Sequence, residues 1–187
     1  MDEIMKYIQK HFDVAGGVDN FLILGLESRK NRDLDTFIVE KSGRPKFPGF
    51  FKHFAPKTEF VIKKLRQVGE AKQVKTEIEI KPLAVRAGIG KWGKNSLVIH
   101  PEFGPWLRFV VIETTFRFPL KPEASELSVY EGCQDCSYCI NACNVSAISL
   151  FGVPKREKCM AYAQLNYPTK RLSRRCDACL QACRPQR

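Results

Sequence analysis

A chain of 187 residues that is 44% hydrophobic can fill one ordinary domain and a small second one, and no run of it approaches the roughly 18 consecutive apolar residues of a membrane span. The formal charge is +11 and is weighted toward the end, where the last 37 residues hold nine Lys or Arg against Glu157 and Asp177. Such a basic face suits an anionic partner, an acidic electron donor or a nucleic-acid backbone, or simply offsets a negative centre built into the same segment.

Ile4, Tyr7, Ile8 and Phe12 recur at helical spacing over Glu3 to Phe12, and Gly16-Gly17 breaks the pattern. Phe21 to Leu24 is a continuous apolar run and predicts a short buried strand. Three prolines and two glycines between Ser42 and Pro56, interleaved with Phe47, Phe50, Phe51 and Phe54, predict a loop whose aromatics anchor it to the core or line a flat cofactor. Thr58 to Val68 again has helical periodicity, Val74 to Ile80 alternates as a strand, and Trp106 to Thr114 predicts a longer strand. Phe118 to Gly132, with Pro119, Pro122 and several acidic residues, is the expected linker into the final segment.

Gly88, Gly90 and Gly93 satisfy the G-x-G-x-x-G string of a dinucleotide site, and Glu113 follows at a suitable distance. The context argues against it. That fingerprint needs a strand running directly into the glycines and a helix leaving them, whereas Pro82 to Ala87 precedes them and Asn95-Ser96, His100-Pro101 and Gly104-Pro105 follow. The glycines instead suit a close approach of backbone to a ligand or a neighbouring segment. His100 to Gly104 matches the D-x-H-x-x-G loop of one class of cobalamin binders poorly, since Val98 stands where the aspartate belongs.

The eight cysteines all lie in the last third: Cys133, Cys136, Cys139 and Cys143, then Cys159, then Cys176, Cys179 and Cys183. Spacings of C-x2-C-x2-C-x3-C are those of a ferredoxin-type cradle, in which three thiolates wrap one [4Fe-4S] cube and the fourth ligates the other cluster. That rule groups Cys133, Cys136, Cys139 and Cys183 on one cluster, and Cys143, Cys159, Cys176 and Cys179 on the second. Zinc would ask for paired knuckles closed by a second pair or by histidine, and His11, His53 and His100 all precede the region. Disulfides would need an oxidising compartment, yet MDEIMKYIQK has no apolar signal region, so a cytoplasmic location is expected. With so little apolar sequence after Tyr130, the clusters would be the core there, and the segment without them should be nearly unfolded.

The run from Arg86 to Gly104, RAGIGKWGKNSLVIHPEFG, with Lys158 to Tyr162 and Cys176 to Cys179, resembles the epoxyqueuosine reductases. These are cobalamin-dependent iron–sulfur enzymes, related in plan to reductive dehalogenases, that remove oxygen from an epoxide on a tRNA nucleoside. The resemblance implies that Gly90, Gly93, Lys94 and Asn95 border a corrinoid, with the backbone near Ala161 and Asp177 on the cluster side. It also implies an aspartate proton donor, and Val74 stands at that position; Glu77, Glu79 and Tyr162 are the substitutes in reach.

The expected fold is α+β: a truncated α/β corrinoid-binding-like domain over residues 1–125, followed by a bacterial ferredoxin-type two-cluster domain over 126–187. The resemblance implies a short member without the family's C-terminal helical-repeat domain. A small-molecule substrate and a low-potential electron donor such as a ferredoxin or flavodoxin are therefore expected rather than tRNA, and no membrane. Two other readings stay open: a ferredoxin-like electron carrier that binds no corrinoid, and an RNA-binding reductase that keeps the family substrate. A reductase would need a cleft large enough for a corrin ring, lined by Gly88 to Asn95 and by Phe50, Phe51 and Phe54.

Overall fold

The computed structural model describes residues 2–74, 80–119, 128–149, 154–168 and 172–184, and is a mixed helix and sheet structure. Helix α1 (Asp2–His11) carries Asp2 and Glu3 in its first turn and Lys10 and His11 in its last, complementing its dipole, and buries Ile4 and Ile8 on one face. Strands β1 (Val14–Glu27) and β7 (Leu107–Phe118) pair antiparallel, and β4 (Ala71–Gln73) adds to the far edge of β7, giving the order β1-β7-β4.

Both faces of this sheet are covered, which is why its strands read as continuous apolar runs. Leu22, Leu24, Leu26, Val110 and Ile112 point to one core with α1 and helix α2 (Pro48–Leu65). The alternate residues Ile23, Phe109 and Val111 point to a second core with helix α3 (Ile80–Arg86) and the hairpin β5 (Lys91–Trp92) and β6 (Val98–Ile99). The period of two along the strands thus sorts the chain into two layers. The predicted strands at Phe21–Leu24 and Trp106–Thr114 are both present and longer than expected, and Gly16-Gly17 lies inside β1.

The loop expected over Ser42–Pro56 is wrong for most of its length. Pro48 stands at the first helical position, where its missing N–H costs nothing, and starts α2. Pro56 sits inside that helix, which is held by Phe54, Val61, Ile62 and Leu65 against the first core. Full burial of Phe54 alone is worth roughly 1.5–3 kcal/mol, comparable to the cost of one interior proline. Thr58 Oγ1 donates to the Phe54 carbonyl at 2.7 Å, adding a bond beside the proline. Val74 to Ile80 is not one strand either: β4 ends at Gln73, Ile80 opens α3, and residues 75–79 lie outside the described ones, as do 120–127 of the expected linker.

The end of the chain is joined to the first part by a second sheet. Strand β2 (Thr36–Val39) pairs with β3 (Pro45–Lys46) on one side and with β8 (Ser173–Arg174) on the other. Helices α4 (Tyr138–Asn141), α5 (Arg156–Asn166) and α6 (Ala178–Ala182) carry the cysteine segments. Among the described residues, no helix is long and apolar enough to cross a membrane.

Candidate functional site

The glycine-rich run is a helix stop followed by a hairpin, not a dinucleotide turn. Gly88 has φ +69° and ends α3: its N–H donates to Val85 O (2.9 Å) while Ile89 N donates to Ala84 O (3.0 Å), the paired bonds of a Schellman cap. Gly90 is required by β6, because a Cβ there would stand 2.5 Å from Ile99 O. Gly93 N donates to Leu97 O at 2.9 Å and closes the β5–β6 turn. The chain's own backbone therefore accounts for the small residues at 88 and 90.

This hairpin holds the first cysteine loop. Trp92 N donates to Ser128 O (2.8 Å) and Tyr130 N to Trp92 O (2.7 Å), so the segment entering the cysteines runs beside β5. Lys91 pairs with Glu131 at 2.5 Å. Lys94 is buried, and its Nζ donates to Gln134 O (2.9 Å) and Cys136 O (3.0 Å). Asn95 is also buried; its Oδ1 accepts from Leu97 N at 3.2 Å, and its Nδ2 has no partner.

Short turns aim the sulfurs. Cys133 ends a 3-10 turn at Glu131–Cys133, Cys139 lies in α4, Cys159 in α5, Cys179 in α6, and Cys183 just past it. Burial pushes the Cys183 thiol up to about 12, and the sulfurs that add to this are those of Cys133, Cys139 and Cys136. Burial likewise raises Cys139, with Cys133 and Cys136 next. Burial raises Cys159, followed by Cys176 and Cys143, while Arg175 and Arg156 pull it back. Cys179 is pushed up to about 12 by burial, then by Cys159, Cys176, Cys139 and Cys143. The sulfurs that weigh on Cys183 and on Cys159 fall within the two expected groups, while Cys179 feels Cys139 besides Cys159, Cys176 and Cys143.

Unscreened neighbouring thiolates raise one another, so such sets ask for a positive centre. Four thiolates at about 2.3 Å from one zinc would lie about 3.8 Å apart. Among the described residues no three His, Cys, Asp or Glu side chains converge in that way.

Several donors and cations not singled out by motif or spacing lie in or near the segments that carry Cys143, Cys159 and Cys176. Ala147 N donates to Cys143 Sγ (3.1 Å), and the Tyr167 hydroxyl lies 4.0 Å from Cys176 Sγ. Arg175 N donates to Asp35 O (2.9 Å), and the Arg175 guanidinium lies 4.2 Å over the Phe47 ring, with that of Arg156 at 5.8 Å. Burial, then Arg108, lowers Arg175 to about 10, so it stays charged at neutral pH. Asp35 itself binds Arg108 through both oxygens, 2.7 Å each. Only two buried side-chain polar atoms among the described residues lack a partner, Asn95 Nδ2 and Arg174 Nε. One belongs to the residue after Lys94 and the other to the residue two before Cys176; a buried donor of this kind is satisfied when a bound group supplies an acceptor.

The other expected site residues are dispersed. Asp177 is buried with its carboxylate on Arg32 (3.3 Å) and Gln181 Nε2 (2.7 Å), and Ala161 is exposed on α5. No hydrogen bond or ion pair among the described residues joins either to the Gly90–Asn95 loop. Phe50 and Phe54 pack into the first core and Phe51 is 57% exposed, so these aromatics sit across the sheet from the glycine loop and do not line one cleft with it. A cleft of about 660 Å³ lies instead by Asn20, Arg66, Lys72 and Glu113 at the sheet edge. Val74 N donates to Val111 O (2.9 Å) and its side chain packs on the second core, leaving no acid there; Glu77 and Glu79 lie outside the described residues. The Tyr162 hydroxyl accepts from Asn144 Nδ2 at 3.0 Å.

No family model matches the chain. An epoxyqueuosine reductase of Listeria monocytogenes is 34% identical over 104 residues, 55% of this chain and 26% of that protein. A crystal structure of epoxyqueuosine reductase with an epoxyqueuosine-modified tRNA-Tyr stem loop is similar in fold with a TM-score of 0.65 at 13% identity, over 97% of this chain and 64% of that one. A reductive dehalogenase structure described as suggesting a mechanism for B12-dependent dehalogenation gives a TM-score of 0.70 at 14% identity, over 96% and 30%. The chain spans about a quarter of the curated relatives it matches in sequence. The chain thus resembles the epoxyqueuosine reductases in sequence over about half its length and in fold over nearly all of it.

Proposed function

We propose that the chain is an iron–sulfur oxidoreductase holding two [4Fe-4S] clusters, which feed single electrons to a cobalamin for a reductive cleavage resembling epoxyqueuosine reduction. The observation that carries this reading is that the sulfurs weighing on Cys183 are those of Cys133, Cys139 and Cys136, while those weighing on Cys159 are Cys176 and Cys143, which supports crossed ligation of two clusters. Cys133, Cys136, Cys139 and Cys183 hold one cluster, and Cys143, Cys159, Cys176 and Cys179 the other. When bound, the clusters supply one-electron storage and the corrinoid supplies the reductive chemistry.

The chain's own residues supply position and exclusion of water. Lys94 fixes the first cysteine loop against the β5–β6 hairpin, so the hairpin and that loop keep one geometry. Asn95 Nδ2 offers a donor at the same edge, which suits an amide or phosphate oxygen of a corrinoid. Gly90 and Gly93 shape the loop, and the backbone at Ala161 and Asp177 borders the ligand from the cysteine side. Residues 1–125 present the ligand surface and 126–187 carry the electrons, taken from a low-potential donor such as a ferredoxin or flavodoxin in the cytoplasm. The substrate is a small molecule or an epoxide-bearing RNA nucleoside.

One observation favours a second reading, an electron carrier without a corrinoid: Gly90 is accounted for by Ile99 O rather than by a ligand. Anaerobic reconstitution followed by titration with cob(II)alamin under electron paramagnetic resonance separates the two. Stoichiometric binding with a changed cobalt signal supports the reductase, whereas the free signal beside two intact clusters makes the chain a carrier. With binding in hand, turnover on an epoxyqueuosine-containing stem loop against the free nucleoside decides the substrate class.

A further inference from the structure

We propose that the groove between the end of α1, the loop after β1 and α2 binds a phosphate group, either the free anion or the phosphate of a small phosphomonoester. The groove has a volume of about 290 Å³, and its polar side is formed by Gln9, Lys10, Asp13, Lys30, Asn31 and Lys57. The three lysines come from three separate segments: Lys10 from the last turn of α1, Lys30 from the loop after β1, and Lys57 from the middle of α2. Ordinary ligand sites run from about 300 to 1,000 Å³, so this one suits a small charged group and not an extended molecule.

The positive charge of the groove is not cancelled. Asp13 is the carboxylate of its lining, and both oxygens are engaged: Oδ2 accepts from Glu27 N (2.7 Å) and Oδ1 from Lys30 Nζ (3.3 Å). Lys30 also meets Glu27 at 3.5 Å, and Glu27 pairs with Arg29 besides. Two acids are thus matched by two cations, and among the described residues no carboxylate pairs with Lys10 or Lys57. Lys57 Nζ instead lies 5.9 Å over the ring of the buried Phe12. The dipole of α1 accounts for Lys10 but not for Lys57, which stands mid-helix. Asn31 precedes the 3-10 turn at Arg32–Asp35 without capping it through its side chain, so its amide is a neutral donor on the same groove. Like charges gathered in one depression repel one another, and an anion seated among them relieves that cost. A phosphate suits these donors better than a carboxylate does. Lysines bind it as point charges, and its three acceptor oxygens can be met from three walls at once.

The test is equilibrium dialysis of the full chain against labelled inorganic phosphate and, separately, a labelled nucleoside monophosphate, at constant ionic strength and without other polyvalent anions. One saturable site with a Kd on the order of 1 mM or tighter is expected. Lys10→Gln and Lys57→Gln should each weaken it about tenfold, the loss of one hydrogen bond to a charged group. Lys57→Arg should keep most of the affinity, and Lys63→Gln, an exposed position on α2 outside the groove, should change nothing. Added sodium chloride should weaken binding steadily, since Lys10 and Lys30 are exposed. Equal or tighter binding of inorganic phosphate assigns the groove to the free anion, and tighter binding of the ester assigns it to a phosphorylated small molecule. If Lys57→Gln does not fold, as judged by circular dichroism, Asn31→Ala carries the same expectation with a smaller loss. No saturable binding, binding that acetate matches, or binding that none of the groove substitutions weakens overturns the proposal.

Discussion

Lys94 Nζ lies 3.0 Å from the carbonyl oxygen of Cys136, so a buried ammonium on the β5–β6 turn is bonded to the backbone of the loop that carries the first cysteines. Together with its bond to Gln134 O, this makes the side chain a clamp between two segments 40 residues and more apart in sequence.

Replacing Lys94 by Met keeps the stem and deletes the clamp. Hydrogen bonds to a charged group contribute about 1.5–3 kcal/mol each, less what water recovers. The expected outcome is faster iron loss from one cluster only, that of Cys133, Cys136, Cys139 and Cys183, followed as bleaching in the presence of a chelator. Equal loss from both clusters would mean the clamp acts on the whole fold.

Cys183→Ser should remove the cluster of Cys133, Cys136 and Cys139 and spare the other, although Cys183 is far closer in sequence to Cys179. Mössbauer spectra and iron counts check this, with about half the iron retained on the chain. Loss of the cluster that includes Cys176 and Cys179 would reverse the assignment.

Arg108→Ala leaves the Asp35 carboxylate buried without its two bonds from Arg108, a pair whose side chains are 12% and 9% exposed. Breaking one side of a buried pair costs about 3–5 kcal/mol. Because Asp35 O also holds Arg175 N, the loss should appear in denaturant midpoints and as a disturbed signal from the cluster that includes Cys176. The double change Arg108→Met with Asp35→Leu should be milder than Arg108→Ala, since no lone charge is left.

Burial lowers the His100 pKa, with Glu102 opposing, and the Nδ1 atom accepts from Glu102 N (3.0 Å) and Phe103 N (3.3 Å), which only the neutral ring can do. The unfolded chain then binds the proton more readily than the folded one, so stability rises with pH in this window. The contribution is complete above the ordinary histidine value of about 6.5 and is lost as pH falls from there through the lowered folded value. Urea midpoints between pH 7.5 and 5 should therefore drop in wild type and stay flatter in His100→Gln. An equal slope in both would remove His100 from the account.

The proposed cysteine grouping rests on ligand spacing, a local property, since two residues between thiolates set which sulfurs can face one centre. The rejection of a dinucleotide turn was legible for the same reason, and the Schellman cap at Gly88 with the β5–β6 hairpin fits it. The helical spacing over Thr58 to Leu65 was legible, but the first half of the helix over Pro48–Leu65 was hidden because Pro48 and Pro56 read as breakers, while burial of Phe54 against segments elsewhere in the chain holds it. Arg108 and Asp35 are 73 residues apart, and no periodicity marks such a pair. Arg175 entered the sequence reading only as one of nine late cations; its place over Phe47 depends on β8 joining β2, a pairing across most of the chain.

In the proposed grouping both thiol sets draw on one short stretch: Cys183 would join sulfurs from the first loop, while Cys176 and Cys179 would join Cys143 and Cys159. During synthesis, therefore, neither set is complete until that stretch has left the ribosome. Loading would then be a single event that waits for that stretch, and a nascent fragment exposing only the first four cysteines has no full site with which to capture iron.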